Sequence, residues 1–181
     1  ISWYDAIIWC NAFSEIHSLT PCYTLNGKIL KDATDTVSCD LCVCDFNADG
    51  YRLPTEAEWE FAARKTISGM QSGALASGQV DKYGKEDDSI PEEEVAWTAF
   101  NSRGTHKVGT AGTPFSEDAS PKAGSGNPNG AGLFDMSGNV LELCWDWFAD
   151  YNDNEPYGPK LGFERVSRGG SVSDYTPYLY A

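Results

Sequence analysis

Asn129-Gly130-Ala131-Gly132-Leu133-Phe134-Asp135-Met136-Ser137-Gly138-Asn139-Val140, continued by Glu142 and Trp145-Asp146-Trp147, is the stretch whose reading decides the fold. Gly138 falls where backbone is expected to need positive φ or a close approach, and so does Gly169-Gly170 in Arg165-Val166-Ser167-Arg168-Gly169-Gly170-Ser171. Trp145 and Trp147 are expected to act as bulky wedges in a core poor in long helices. Upstream, Arg52-Leu53-Pro54-Thr55 leads into a helix with Thr55 as cap, Glu58 closing the capping box, and Trp59, Ala62 and Ala63 facing inwards. Ser2 and Asp5 form a second capping box, and Ala6, Trp9, Cys10 and Phe13 recur at helical spacing, which predicts a first helix of about three turns. Cys22-Tyr23-Thr24-Leu25 and Lys28-Ile29-Leu30 flank Asn26-Gly27, the signal for a tight hairpin, and a cysteine-rich loop is expected after it. Residues 66–94 and 111–132 are rich in Gly, Ser, Asn and Asp without periodicity, so both are expected to be long solvated loops of one domain.

The chain has 181 residues, 41% hydrophobic and 13% aromatic, enough for one domain with a real core and far from the composition of a disordered segment. Its net charge of −14 repels phosphate backbones and anionic lipid, which argues against nucleic acid as a partner. No apolar run is long enough to span a bilayer, so membrane association is expected only through an anchor outside this sequence, and any export signal would lie upstream. Six cysteines, Cys10, Cys22, Cys39, Cys42, Cys44 and Cys144, point to an oxidising compartment, and hence to an exported protein in an extracellular or cell-surface location.

Three segments together resemble the formylglycine-generating-enzyme (sulfatase-modifying factor) family. They are Ser2-Trp3-Tyr4-Asp5-Ala6 with Cys10-Asn11; the run from Gly50 through Arg52-Leu53-Pro54-Thr55-Glu56 to Glu60; and the 129–147 stretch with its Arg165 to Ser171 continuation. Their order along the chain is the family's order. The resemblance implies an α+β, C-type-lectin-like fold of the formylglycine-generating-enzyme type, two helices with small antiparallel sheets and long ordered loops, as a single domain over residues 1–181. The family's final strands are expected to lie beyond residue 181.

Active members of the family resemble copper-dependent oxidases whose two cysteines follow an Arg-Gly-Gly-Ser-Trp motif. Here Gly169-Gly170-Ser171 is followed by Val172-Ser173-Asp174-Tyr175-Thr176-Pro177-Tyr178-Leu179-Tyr180, with no cysteine after Cys144. The thiolates a soft metal needs are replaced by approximately Asp174 and Leu179, so no copper site and no catalysis are expected. Val172, where the motif has Trp, also leaves the register of this segment open. A Cys144–His106 thiolate–base pair is weighed against a Cys144 that is simply buried, and burial is favoured.

Asp135 with Gly138, Val140 and Glu142 resembles a family calcium loop of two carboxylates and two backbone carbonyls; the alternative is that the acids only cap turns. Asp45, Asn47, Asp49 and Glu56 match the EF-hand spacing. Pro54 inside that loop and the use of Glu56 in a helix N-terminus argue against it. Cys39, Cys42 and Cys44 read as disulfide partners or, less favoured, as zinc ligands.

One branch of this family, the variable proteins of diversity-generating retroelements, displays its diversified residues just after this motif. The reading is therefore a non-catalytic protein that binds a protein or other surface ligand through Val172, Ser173, Asp174, Tyr175, Thr176, Tyr178, Leu179 and Tyr180, with tyrosines as adaptable contacts. The alternative is an oxidase homologue or degenerate pseudoenzyme of the family.

Overall fold

A computed structural model describes residues 1–113, 121–150 and 157–175. They fall into two compact units, Ile1–Pro54 and Thr55–Ala181.

In the first unit, α1 (Trp3–Ile16) starts from the Ser2–Asp5 capping box, both halves of which are formed. Its buried stripe is Trp3, Ile7, Cys10, Asn11 and Ser14, a shift from the expected Ala6, Trp9, Cys10 and Phe13. The shift has a hydrogen-bonding cause. Asn11 Nδ2 donates to Tyr23 O at 2.8 Å while Asn11 Oδ1 accepts from Tyr23 N at 3.0 Å, and Ser14 Oγ accepts from Tyr51 N at 2.8 Å. Polar side chains that satisfy buried backbone can thus displace aromatics from the interior. Trp9 is left 59% exposed, stacked on Phe13 with ring centres 4.6 Å apart.

Tyr23–Leu25 (β1) is the central strand of a three-stranded antiparallel sheet, between β2 (Lys28–Ile29) and β3 (Val43–Cys44). The turn between β1 and β2 has φ of 50° at Asn26 and 75° at Gly27, as the Asn-Gly pair predicts. The segment expected to be a cysteine-rich loop instead holds α2 (Thr36–Asp40), capped by Asp35, and β3. All six cysteines of the chain are thiols in this structure. The acids of the EF-hand-like stretch hold turns: Asp45 Oδ1 accepts from Asn47 N at 2.9 Å and Asp49 Oδ1 from Thr20 N at 2.8 Å.

The second unit opens with α3 (Glu56–Arg64), whose Thr55–Glu58 capping box is complete. Trp59 and Ala63 pack with Met136, Cys144 and Val166, and Ala62 lies partly buried against them. Glu142–Trp147 (β4) pairs antiparallel with β5 (Arg165–Arg168), Glu142 opposite Arg168 and Trp147 opposite Arg165. Strand alternation turns Cys144 and Asp146 inwards, so Trp145 and Trp147 are half-buried on the other face and are not the core wedges expected. Arg165 lies over both, 5.2 Å and 3.5 Å from their ring centres, a cation–π arrangement that covers the indoles.

Residues 66–94 and the end of the 111–132 stretch are held by buried polar side chains. Gln71 Nε2 donates to Leu75 O and Ala76 O at 3.1 Å and 3.0 Å, Gln79 Nε2 donates to Ile90 O at 2.6 Å, and Ser77 Oγ donates to Ala63 O at 2.6 Å. Asn129 Nδ2 donates to Ala62 O at 2.8 Å, and Asn129 Oδ1 accepts from Ala131 N and Leu133 N at 2.9 Å and 3.1 Å. Side-chain amides thus do here what strand ladders do elsewhere, which is how residues 66–94, expected to be a solvated excursion, come to bury Thr66, Gln71, Ala76, Ser77 and Gln79.

Candidate functional site

Backbone geometry around residues 135–142 is set by three left-handed residues, Asp135 (φ 56°), Gly138 (φ 77°) and Asn139 (φ 60°). Gly138 is required there, because a Cβ would stand 2.2 Å from Trp97 O. Asn139 ties this loop to two others. Its N donates to Trp97 O at 2.8 Å, its Oδ1 accepts from His106 N at 3.0 Å, its Nδ2 reaches Asp135 Oδ2 at 3.1 Å, and its O accepts from Val172 N at 3.0 Å. Sequence reasoning passed over Asn139 as a site residue. The available signal was an Asn directly after a left-handed glycine, since Asn tolerates the same region.

Asp135 is 9% exposed; its Oδ2 accepts from Gly109 N at 2.9 Å, while its Oδ1 is buried with no hydrogen-bond partner. Glu142 Oε2 accepts from Trp59 Nε1. Burial pushes the Glu142 carboxyl above its ordinary range; the Trp59 bond opposes this and the Asp135 charge adds to it. An orphaned carboxylate oxygen beside a second, half-buried carboxylate is the hard-oxygen donor chemistry that suits a calcium ion. Gly138 lies in the same loop with its N–H donated to Gly169 O at 2.7 Å, and Val140 is 51% exposed. Among the described residues no three His, Cys, Asp or Glu side chains converge as a metal-holding group, so any ion here must draw on backbone oxygens.

Glu56, the last acid of the EF-hand-like pattern, is the first residue of α3. Its N donates to Asp146 Oδ2 at 2.7 Å and its Oε1 lies 3.6 Å from Arg168 Nε. Burial raises both Glu56 and Asp146. Cys144 is fully buried, and burial together with the Asp146, Glu56 and Glu142 charges pushes its thiol up to about 12, against the lowered value a thiolate nucleophile needs. His106 stacks on Trp97, ring centres 3.8 Å apart and planes 12° from parallel, with Nε2 2.7 Å from Ser102 Oγ.

The segment after the glycine pair is held by its backbone. Besides the Val172 bond, Asp174 N donates to Ser171 O at 3.0 Å and Asp174 O accepts from Ala99 N at 3.1 Å. Ser171 Oγ donates to Asp174 Oδ2 at 2.7 Å and accepts from Ser173 N at 3.2 Å. Val172 is half-buried, Ser173 is exposed, and Tyr175 is 58% exposed, edge-on to Phe100 with ring centres 5.0 Å apart. Thr176, Tyr178, Leu179 and Tyr180 lie outside the described residues.

Comparison with known proteins agrees with this geometry. The structure superposes on Treponema denticola variable protein 1 with a TM-score of 0.71 and 31% identity, covering 99% of this chain and 61% of that one. It superposes on CarF with a TM-score of 0.63 and 30% identity, covering 99% and 58%. In sequence, the chain is 33% identical to the chaperone protein LppX of Paenibacillus barcinonensis over 94% of its own length and 56% of the relative's. It is 37% identical to the formylglycine-generating enzyme of Streptomyces coelicolor over 71% of this chain and 38% of that enzyme. The chain thus spans little more than half of the longest-matching of these relatives. The family model for the sulfatase-modifying factor enzyme 1-like domain matches residues 1–180, and the chain belongs to that family, with its α+β, C-type-lectin-like fold.

Proposed function

We propose that this protein is a non-catalytic binder that presents the segment from Val172 onwards as a recognition surface, in the manner of the variable proteins of diversity-generating retroelements. One observation carries the reading. Residues 172–174 are anchored through backbone groups, to Asn139 O, Ser171 O and Ala99 N, whereas Ser173 and Tyr175 direct their side chains to solvent. Such an arrangement lets side-chain identity change with little effect on the backbone, and it limits the entropy lost on binding. The likeness to a variable protein over 99% of the chain supports the same reading.

The similarity to formylglycine-generating enzymes favours oxidase ancestry as the second reading. The test is incubation with a cysteine-containing sulfatase peptide, copper and oxygen, read by mass spectrometry. No formylglycine above a protein-free control is expected, and turnover would establish the oxidase reading instead.

A structural calcium ion held by Asp135 and Glu142, with the backbone carbonyls of Gly138 and Val140, belongs to the same proposal. It would neutralise the buried Asp135 and the half-buried Glu142 and fix the loop that carries Asn139. The sign of the pH effect follows from the raised carboxyls of Glu142, Glu56 and Asp146. Each group stabilises the metal-free fold below its ordinary carboxylate range and loses that contribution as pH rises through its raised value. Metal-free protein should therefore melt higher near pH 5 than at neutral pH. Calcium at roughly 100 times its dissociation constant should add about 2.7 kcal/mol at neutral pH, an increase of roughly 5–10 °C in Tm. In Glu142→Gln the calcium shift should vanish while the metal-free Tm at neutral pH rises. Differential scanning fluorimetry with and without a chelator reads both effects, and a wild-type Tm indifferent to calcium would remove the ion from the account.

A further inference from the structure

Beside the recognition segment lies an open cavity of about 540 Å³, lined by Trp97, Phe100, Asn101, Ser102, Arg103 and His106. Its volume falls in the range of small-molecule sites. Its wall is rigid. Trp97 is 6% exposed, and its Nε1 donates to Thr110 Oγ1 at 3.3 Å. His106 is stacked on that indole, and Ser102 Oγ, which donates to Gly104 O at 2.6 Å, is left to accept the proton on His106 Nε2. The imidazole is thus held in one orientation.

The rim combines an exposed aromatic pair with a cation. Phe100 is 71% exposed and meets Tyr175 edge-on at 5.0 Å, leaving ring surface open to a planar group. Arg103 is exposed and makes no hydrogen bond or ion pair among the described residues. Between Glu94 and Glu117 the sequence holds Arg103, His106 and Lys107 and no acid. Asp174, on the neighbouring segment, has its Oδ2 engaged by Ser171 Oγ. A guanidinium fork with no partner among the described residues matches a carboxylate, and the neighbouring rings match an aromatic group.

From this geometry we infer that the cavity binds an aromatic carboxylate, the ring against Phe100 and Tyr175 and the carboxylate on Arg103. The inference deepens the recognition-surface reading, because Tyr175 belongs to both. Two sources present this chemistry: a free small aromatic acid, and the C-terminal aromatic residue of a peptide.

The test is a titration of the full chain with 4-hydroxyphenylacetate, its neutral amide, and the peptides N-acetyl-Gly-Gly-Tyr and N-acetyl-Gly-Gly-Tyr-amide, followed by saturation-transfer NMR and tryptophan fluorescence. Saturable binding of at least one carboxylate is expected, weakened about tenfold in the matching amide and in Arg103→Gln. Phe100→Ala should weaken it comparably. Both residues are exposed, and circular dichroism checks that the variants stay folded. A preference for the free acid or for the peptide identifies the source. Equal binding of acid and amide, indifference to Arg103→Gln, or no saturation with any probe would overturn the inference. Those results would leave the recognition-surface reading standing, since that is tested through the 174–178 side chains.

Discussion

Gly138→Ala is expected to destabilise the protein by about 3–5 kcal/mol. Two costs combine. At φ of 77° an alanine pays the left-handed penalty of about 1–2 kcal/mol. Its Cβ would also stand 2.2 Å from Trp97 O, well inside van der Waals contact. The backbone has little room to relieve that overlap. Gly138 N donates to Gly169 O at 2.7 Å and Asn139 N to Trp97 O at 2.8 Å, so a shift away from Trp97 breaks the bonds that hold the 135–142 loop to its neighbours. Gly132 supplies the control. It has the same φ of 77°, but nothing lies within 4 Å of its Cβ position, so Gly132→Ala carries the conformational cost alone. Urea denaturation of the two variants separates strain from overlap. Equal losses would show that the close approach to Trp97 does not matter.

The features legible in the sequence were those with local causes. The Ser2–Asp5 and Thr55–Glu58 capping boxes and the Asn26-Gly27 turn each depend on residues within three positions, and each is formed. Gly138, Gly169 and Gly170 were legible because positive φ has few other solutions, and all three have it. Aromaticity misled where burial was decided by partners far along the chain. Trp9 lost its place to Asn11 and Ser14, whose value lies in bonds to Tyr23 and Tyr51, and Trp145 and Trp147 face Arg165 because strand alternation gave the interior to Cys144 and Asp146. The 66–94 loop carried no periodic signal because Gln71, Gln79 and Ser77 replace ladder bonds with side-chain bonds, which impose no spacing. At the candidate site, Asp135 and Glu142 were singled out through their motif. The cavity lined by Trp97 and His106 was not, since two rings nine positions apart in an irregular segment stack only once Asn139 has bonded to the backbone of both.

Joint replacement of Asp174, Tyr175 and Tyr178 by Ala is expected to weaken binding to a partner captured by the wild-type protein by about 100-fold or more. Tyrosine anchors dominate surfaces of this kind because each presents a large, rigid, amphipathic face with few rotors to immobilise. The scaffold should be nearly indifferent to the change. Tyr175 is 58% exposed, and the Asp174 backbone bonds to Ser171 O and Ala99 N do not involve its side chain, although the carboxylate's bond from Ser171 Oγ is lost. Measuring partner affinity and melting temperature on the same triple variant therefore tests the central claim most directly. The account predicts that affinity collapses while Tm stays within roughly 2–4 °C of wild type, the response to about 1 kcal/mol of surface change in a domain of this size. Unchanged affinity, or a variant that unfolds, would contradict it and make the segment part of the scaffold.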